Sequence, residues 1–146
     1  LSVAGGKAPL VQLSRRYHFV ASHRLHVDAL DAERNREVFG KCNNPYGHGH
    51  NYTVQVTFAG HVEAATGMVT NLADLDGFAQ RELIEPFDHR NLNTLECFLD
   101  VVPTTENLAV EVWRRFAGFP HARLVRVRVE ETSNNAFDYF GEGVER

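Results

Sequence analysis

From His48 onward the chain alternates with a period of two. His48, His50, Tyr52, Val54, Val56 and Phe58 share one parity; Gly49, Asn51, Thr53, Gln55 and Thr57 share the other. That pattern defines a strand with one buried face, and it puts two imidazoles on the apolar side. Imidazoles at i and i+2 of a strand stand roughly 7 Å apart at Cα, near enough to close on one ion. An isolated His-x-His is more often a solvated turn. Here Cys42 lies just upstream and His23 sits in an earlier strand-like segment.

Size and charge narrow what such a strand can belong to. At 146 residues the chain fits one domain with a real core. Its net charge of −4 argues against bulk binding of nucleic acid, which needs a basic face. No apolar run reaches membrane-spanning length and no signal-peptide pattern opens the sequence, so the expectation is a cytoplasmic protein. Two cysteines, Cys42 and Cys97, are expected as thiols in a reducing compartment. Cys97, in Leu95-Glu96-Cys97-Phe98-Leu99, reads as a packing residue; Cys42, among polar turn residues, is the better candidate for chemistry.

Residues 1–11 carry two glycines and a proline and read as a flexible tail before a single domain over 12–146. Gln12 to Leu25 reads as a strand with Tyr17, Phe19, Ala21 and His23 on one face. Asp28 to Glu37 is charge-rich, a loop or short exposed helix. Gly60 and Thr66-Gly67 predict a hairpin returning through Met68-Val69-Thr70. Asn71 is a helix N-cap for the stripe Leu72, Leu75, Phe78, Ala79 and Leu83, ending at Pro86. A second helix starts at Pro103-Thr104-Thr105-Glu106 and carries Leu108, Ala109, Val112, Trp113 and Phe116. A last strand, Ala122 to Thr132, places Val125, Val127 and Val129 on one face, with Glu131 on the same parity at its end. With two helices in succession between sheet elements, an antiparallel α+β fold is favoured over βαβ winding.

Three constellations carry chemistry. His23, His48 and His50 would give zinc three ligands and an open position, as in catalytic sites; Cys42 as a fourth ligand would make the site structural instead. Cys42 with Asp88-His89 could form a thiol–imidazole–carboxylate set, against the plainer reading of a helix-ending turn with a solvated histidine. Thr104-Thr105-Glu106 is explained by helix capping, although free N–H groups there also suit a ligand. Glu131 is either solvated beyond the strand end or anchors a ligand bearing N–H donors. Arg24 and Lys41, among otherwise scattered basic residues, lie near enough to the histidine stretch to receive a phosphate group.

Taken together, Phe19 to Leu25, Phe39 to Tyr52, Asp88 to Asn93, Thr104 to Asn107 and Glu131-Thr132 resemble, in order and in register, the 6-pyruvoyltetrahydropterin synthase family. The similarity runs from about Ser14 to Gly141. It implies a tunnelling fold (T-fold): an antiparallel sheet with two helices on one face. Three subunits would close a β-barrel, and two trimers would stack into a homo-hexamer with active sites at the interfaces. It implies zinc on His23, His48 and His50, catalysis by Cys42, Asp88 and His89, and pterin anchored by Glu131 with Thr104, Thr105 and Glu106 near the ring. Glu130 departs from the family's usual residue at that place.

The implied reaction converts 7,8-dihydroneopterin triphosphate to 6-pyruvoyl-5,6,7,8-tetrahydropterin and triphosphate, a lyase step of tetrahydrobiopterin biosynthesis, with magnesium accompanying the triphosphate. Related 6-carboxy-5,6,7,8-tetrahydropterin synthases release acetaldehyde and triphosphate from the same substrate. The five residues between Cys42 and His48 resemble the pyruvoyl enzymes, the carboxy enzymes usually having fewer. A protein of another class, binding pterin at a zinc-stabilised site without turnover, would have no need of Cys42, Asp88 and His89 together.

Overall fold

A computed structural model describes residues 8–142. Its elements are β1 (Leu10–His23), α1 (Ala32–Phe39), β2 (His48–His61), α2 (Leu72–Ala79), the single turn α3 (Glu85–Phe87), β3 (Arg90–Asn91), α4 (Thr105–Phe116), β4 (Arg123–Thr132) and β5 (Asn135–Tyr139). Five strands form one sheet in the order β3-β1-β2-β4-β5. The fold is α+β, as the element order predicts. All pairings are antiparallel except that two-residue β3 runs parallel to β1, beside Ala21 and Ser22.

The period-two pattern builds the core. Phe19, Tyr52, Val54, Val56, Phe58, Val127 and Val129 are buried on one sheet face, against Leu75, Ala79 and Leu83 from the first helical segment and Leu108, Val112 and Phe116 from α4. Each such side chain, withdrawn from water, contributes about 1.5–3 kcal/mol. Both helices therefore cover the same face. Cys97 packs against this core, as its apolar neighbours imply.

Several boundaries differ from the sequence reading. Leu10 and Val11 already pair with His61 and Gly60, so β1 begins inside the stretch expected to be tail; residues 1–7 lie outside the described residues. The hairpin return at Met68-Val69-Thr70 does not form. Glu63 instead receives the Gly67 N–H at 2.7 Å and donates to the Met68 carbonyl at 3.0 Å, closing a local turn. In β4 the register shifts against β2 beside Thr57, turning Leu124 into the core and Val125 out of it. One extra residue in a strand reverses parity up to that point, which alternation alone does not reveal.

The first helix behaves as its caps dictate until Pro86. Asn71 Oδ1 accepts the Ala73 N–H at 2.8 Å, and the helix widens into a π turn over Gln80–Ile84 before α3. Proline has no N–H to give the carbonyl four residues back. The carbonyl of Glu82 takes Arg115 Nη1 at 3.4 Å instead, tying the two helical segments together.

Candidate active site

The two long strands create the centre of the site by register. His23 pairs directly with His48, and Ala21 with His50, so three imidazoles crowd one end of the covered face. Their ring centroids lie 4.6, 4.7 and 5.1 Å apart, directly beyond the stacked Phe19–Tyr52 pair. The strands can close here because Gly47, at φ +73°, precedes β2. A Cβ on it would stand 3.1 Å from the His23 carbonyl oxygen.

His23 is the buried anchor of the cluster, 1% exposed. Its Nδ1 donates to the Pro103 carbonyl at 2.7 Å, just before the Thr104 cap of α4. That bond fixes the tautomer and leaves the Nε2 lone pair facing the other two rings. Burial lowers the pKa of His23 and His48, and the neighbouring imidazoles add to it, so the neutral ligand form is favoured.

A carboxylate joins them. Glu131 is the extra residue of a second β-bulge, between the Glu130–Ala136 and Thr132–Asn135 pairs. Its Oε1 lies 3.1 Å from His50 Nε2 and 3.5 Å from His23 Nε2, while Oε2 accepts from Asn135 Nδ2 at 3.1 Å. One ligand atom from each of His23, His48, His50 and Glu131 falls within 4.8 Å of the others, a group able to hold a metal ion. Among the described residues His48 Nδ1 and His50 Nε2 are buried without a hydrogen-bond partner, and a bound ion would satisfy the second of these directly. Cys42 is outside that group.

Cys42 is held close by through backbone. Its carbonyl accepts the Leu25 N–H at 2.8 Å, and Asn43 Nδ2 donates to the Leu25 carbonyl at 2.8 Å and meets His26 Nδ1 at 2.9 Å. The turn Gly40–Asn43 is thus clipped to the continuation of β1. Buried Asn35 fastens the next stretch, accepting from the Val27 N–H and donating to the carbonyls of Val27, Leu30 and Asp31. Burial, and secondarily the Glu131 charge, push the Cys42 thiol up.

Cys42 opens onto a hollow of about 780 Å³ shared with His48 and His50 and walled by Arg24, Arg36 and Lys41. On the other side of His50 a second hollow of about 430 Å³ contains Glu131.

Asp88 and His89 lie elsewhere on β1. Asp88 Oδ1 accepts the Val20 N–H at 2.9 Å, His89 N–H donates to the Val20 carbonyl at 2.6 Å, and His89 Nδ1 stands 3.1 Å from Asp88 Oδ2. The Val20 N–H, then His89, hold the Asp88 carboxyl below its usual range. His89 has a left-handed backbone, φ 59°, which is strained for a side-chain-bearing residue, and its imidazole is 79% exposed. No hydrogen bond or ion pair joins either residue to Cys42 among the described residues. Thr104 caps α4 through the Asn107 N–H, Thr105 is buried beside Tyr52, and Glu106 is exposed in the first turn.

Sequence reasoning did not foresee the parts played by Pro103, Asn35 and Asn43. Proline's carbonyl carries no signal of its own, and both asparagines sit in polar stretches that read as solvated.

The family model for 6-pyruvoyl tetrahydropterin synthase matches residues 12–142. The chain belongs to the 6-pyruvoyl tetrahydropterin synthase family. It is accordingly an enzyme of lyase type. The human 6-pyruvoyl tetrahydrobiopterin synthase is 49% identical over 140 residues, 94% of this chain and 97% of that one. The solved structure of the Caenorhabditis elegans 6-pyruvoyl tetrahydropterin synthase superposes with a TM-score of 0.89 at 39% identity, covering 94% of this chain and 99% of that one. A putative 6-carboxy-5,6,7,8-tetrahydropterin synthase of Archaeoglobus fulgidus is 34% identical over 88 residues, 60% of this chain and 70% of its own. Among the described residues no helix is long and apolar enough to cross a membrane.

Proposed function

We propose that this family member converts 7,8-dihydroneopterin triphosphate to 6-pyruvoyl-5,6,7,8-tetrahydropterin, releasing triphosphate, with one zinc ion per subunit on His23, His48 and His50. The observation that carries the reading is the convergence of three imidazoles, one fixed in tautomer by Pro103, beside a thiol outside their cluster. Relatives bearing the pyruvoyl name match nearly the whole chain, whereas the carboxy relative matches part of it, which favours the pyruvoyl product over 6-carboxytetrahydropterin.

Zinc bound there would act as a Lewis acid toward the side-chain oxygens of the substrate and acidify the adjacent C–H. Cys42 stands on the hollow where that carbon would lie and serves as the base. Its thiol must first lose a proton against the pull of burial, so it needs a partner. The Asp88–His89 pair projects from the sheet edge into solvent. In a barrel-forming trimer, stacked as a hexamer, it would reach the Cys42 of a neighbouring subunit and relay the proton.

Glu131 would accept two hydrogen bonds from the ring N–H and amino groups, with Thr104, Thr105 and Glu106 near the ring. Arg24, Arg36 and Lys41 face the same hollow as Cys42 and suit the triphosphate and its magnesium. Both cysteines are free, and Cys42 must remain so to act, which fits a reducing cytoplasm. Mass spectrometry of the product from dihydroneopterin triphosphate tests the proposal: a pyruvoyl product is expected, while acetaldehyde with a carboxy product, or unchanged substrate, overturns it.

A further inference from the structure

We propose that Glu131 is a ligand of the metal centre while the pterin place is empty, and that it leaves the metal for the ring when a pterin arrives. This rests on the zinc and pterin roles proposed above and adds a second position for the same carboxylate. His23 Nε2 and His48 Nε2 stand 3.0 Å apart, and Glu131 Oε1 is 3.1 Å from His50 Nε2 and 3.5 Å from His23 Nε2. A tetrahedral zinc ion with bonds of about 2.0–2.1 Å sets its ligand atoms roughly 3.3–3.4 Å apart. The observed separations fall on both sides of that value.

The contact between Glu131 and His50 is not a hydrogen bond. At 3.1 Å it is near enough to be one, yet His50 Nε2 counts as buried and without a hydrogen-bond partner because the ring nitrogen's in-plane axis points past the carboxylate. A ring nitrogen and a carboxylate oxygen that close, and not aimed at each other, suit two donors sharing a third atom. The bulge that holds Glu131 turns its side chain inward, and Asn135 occupies Oε2, leaving Oε1 for the cluster.

Three imidazoles and one carboxylate fill a four-coordinate site and leave no open position. Glu131 must therefore withdraw before substrate oxygens can enter. The ring's N–H donors, which need that carboxylate, supply the pull. Arrival of the ring and opening of the centre become one event, and by linkage each ligand opposes the other through Glu131.

The experiment uses the 146-residue chain, stripped of metal and reloaded with zinc or cobalt(II), together with bare 2-amino-4-oxopteridine. That probe has the donor edge but no side chain to reach the metal. Glu131→Gln, which keeps the shape of the side chain, is expected to lower zinc affinity in chelator competition by ~10- to 100-fold, the scale on which carboxylates support metal sites. In the unaltered chain the bare pterin is expected to weaken zinc binding, zinc to weaken pterin binding by the same factor, and the cobalt absorption bands to move toward those of the variant.

Unchanged zinc affinity and cobalt bands in E131Q overturn the proposal, as does independent binding of zinc and pterin in the unaltered chain. If E131Q loses pterin but holds zinc as before, the exchange is overturned and the ring-anchor reading stands. If His23→Ala and His48→Ala keep full zinc affinity, the metal centre itself is wrong and the exchange falls with it. Failure of the unaltered chain to bind the bare pterin at any metal loading overturns the ring anchor and the exchange together.

Discussion

His23 Nδ1 stands 2.7 Å from the carbonyl oxygen of Pro103, eighty positions later in the sequence. This one bond joins the end of β1 to the entrance of α4 and decides which nitrogen of the most buried imidazole faces the cluster. His23→Ala removes the ring, orphans a buried carbonyl and opens space beside Tyr52. It should lower the stability of the metal-free protein by about 2–4 kcal/mol and release the metal as well. Urea unfolding and metal content after dialysis read the two effects separately.

Cys42 lies outside the group of ligand atoms, so its loss should separate chemistry from metal binding. Cys42→Ala is expected to reduce turnover by at least ~10²- to 10⁴-fold, the usual contribution of a positioned base, while zinc content stays at the unaltered level. Release of zinc would make the thiol a ligand and remove it from catalysis.

The Asp88–His89 pair and Cys42 are anchored to different parts of the same edge, through Val20 and Leu25. If a neighbour supplies the relay, two inactive variants should repair one another. Cys42→Ala and His89→Ala, each inactive alone, should recover a measurable fraction of activity after dissociation and reassembly together. No recovery in proven mixed assemblies would place the whole relay within one subunit.

Asp76 on α2 receives Arg15 Nε and Nη2 at 3.0 and 2.9 Å and the Tyr17 hydroxyl at 2.8 Å. Its bond to Arg15, foremost, holds the carboxyl below the usual range. A depressed carboxyl stabilises the fold above the unfolded value of about 3.9 and loses that contribution as pH falls through the folded value. The ion pair is well exposed, so Asp76→Asn should cost only about 1 kcal/mol at pH 7. The difference should shrink below about pH 4. Urea unfolding at both pH values checks it.

The sheet and both main helices were legible because one face of each strand is buried and period two records it; the caps at Asn71 and Thr104 marked where the helices start. The three histidines were legible for the same reason, since they continue the buried parity. The bulges were not, and they are what turns Leu124 inward and places Glu131 as the unpaired residue of its strand. Motif register found Glu131 but not its nearness to the imidazoles, which depends on side-chain direction. Asp88 and His89 read as neighbours in a loop, and their clasp on Val20 depends on a parallel pairing too short to leave a pattern.

Gly47 stands at the narrow end of the two paired strands, where even one more carbon would press on the backbone of His23. The gauge of the histidine cluster is therefore set ahead of the ligands, by an omitted methyl group in a turn. A wedge there would spread the rings with every ligand intact, so this enzyme can lose its grip on a metal through a residue that never touches one.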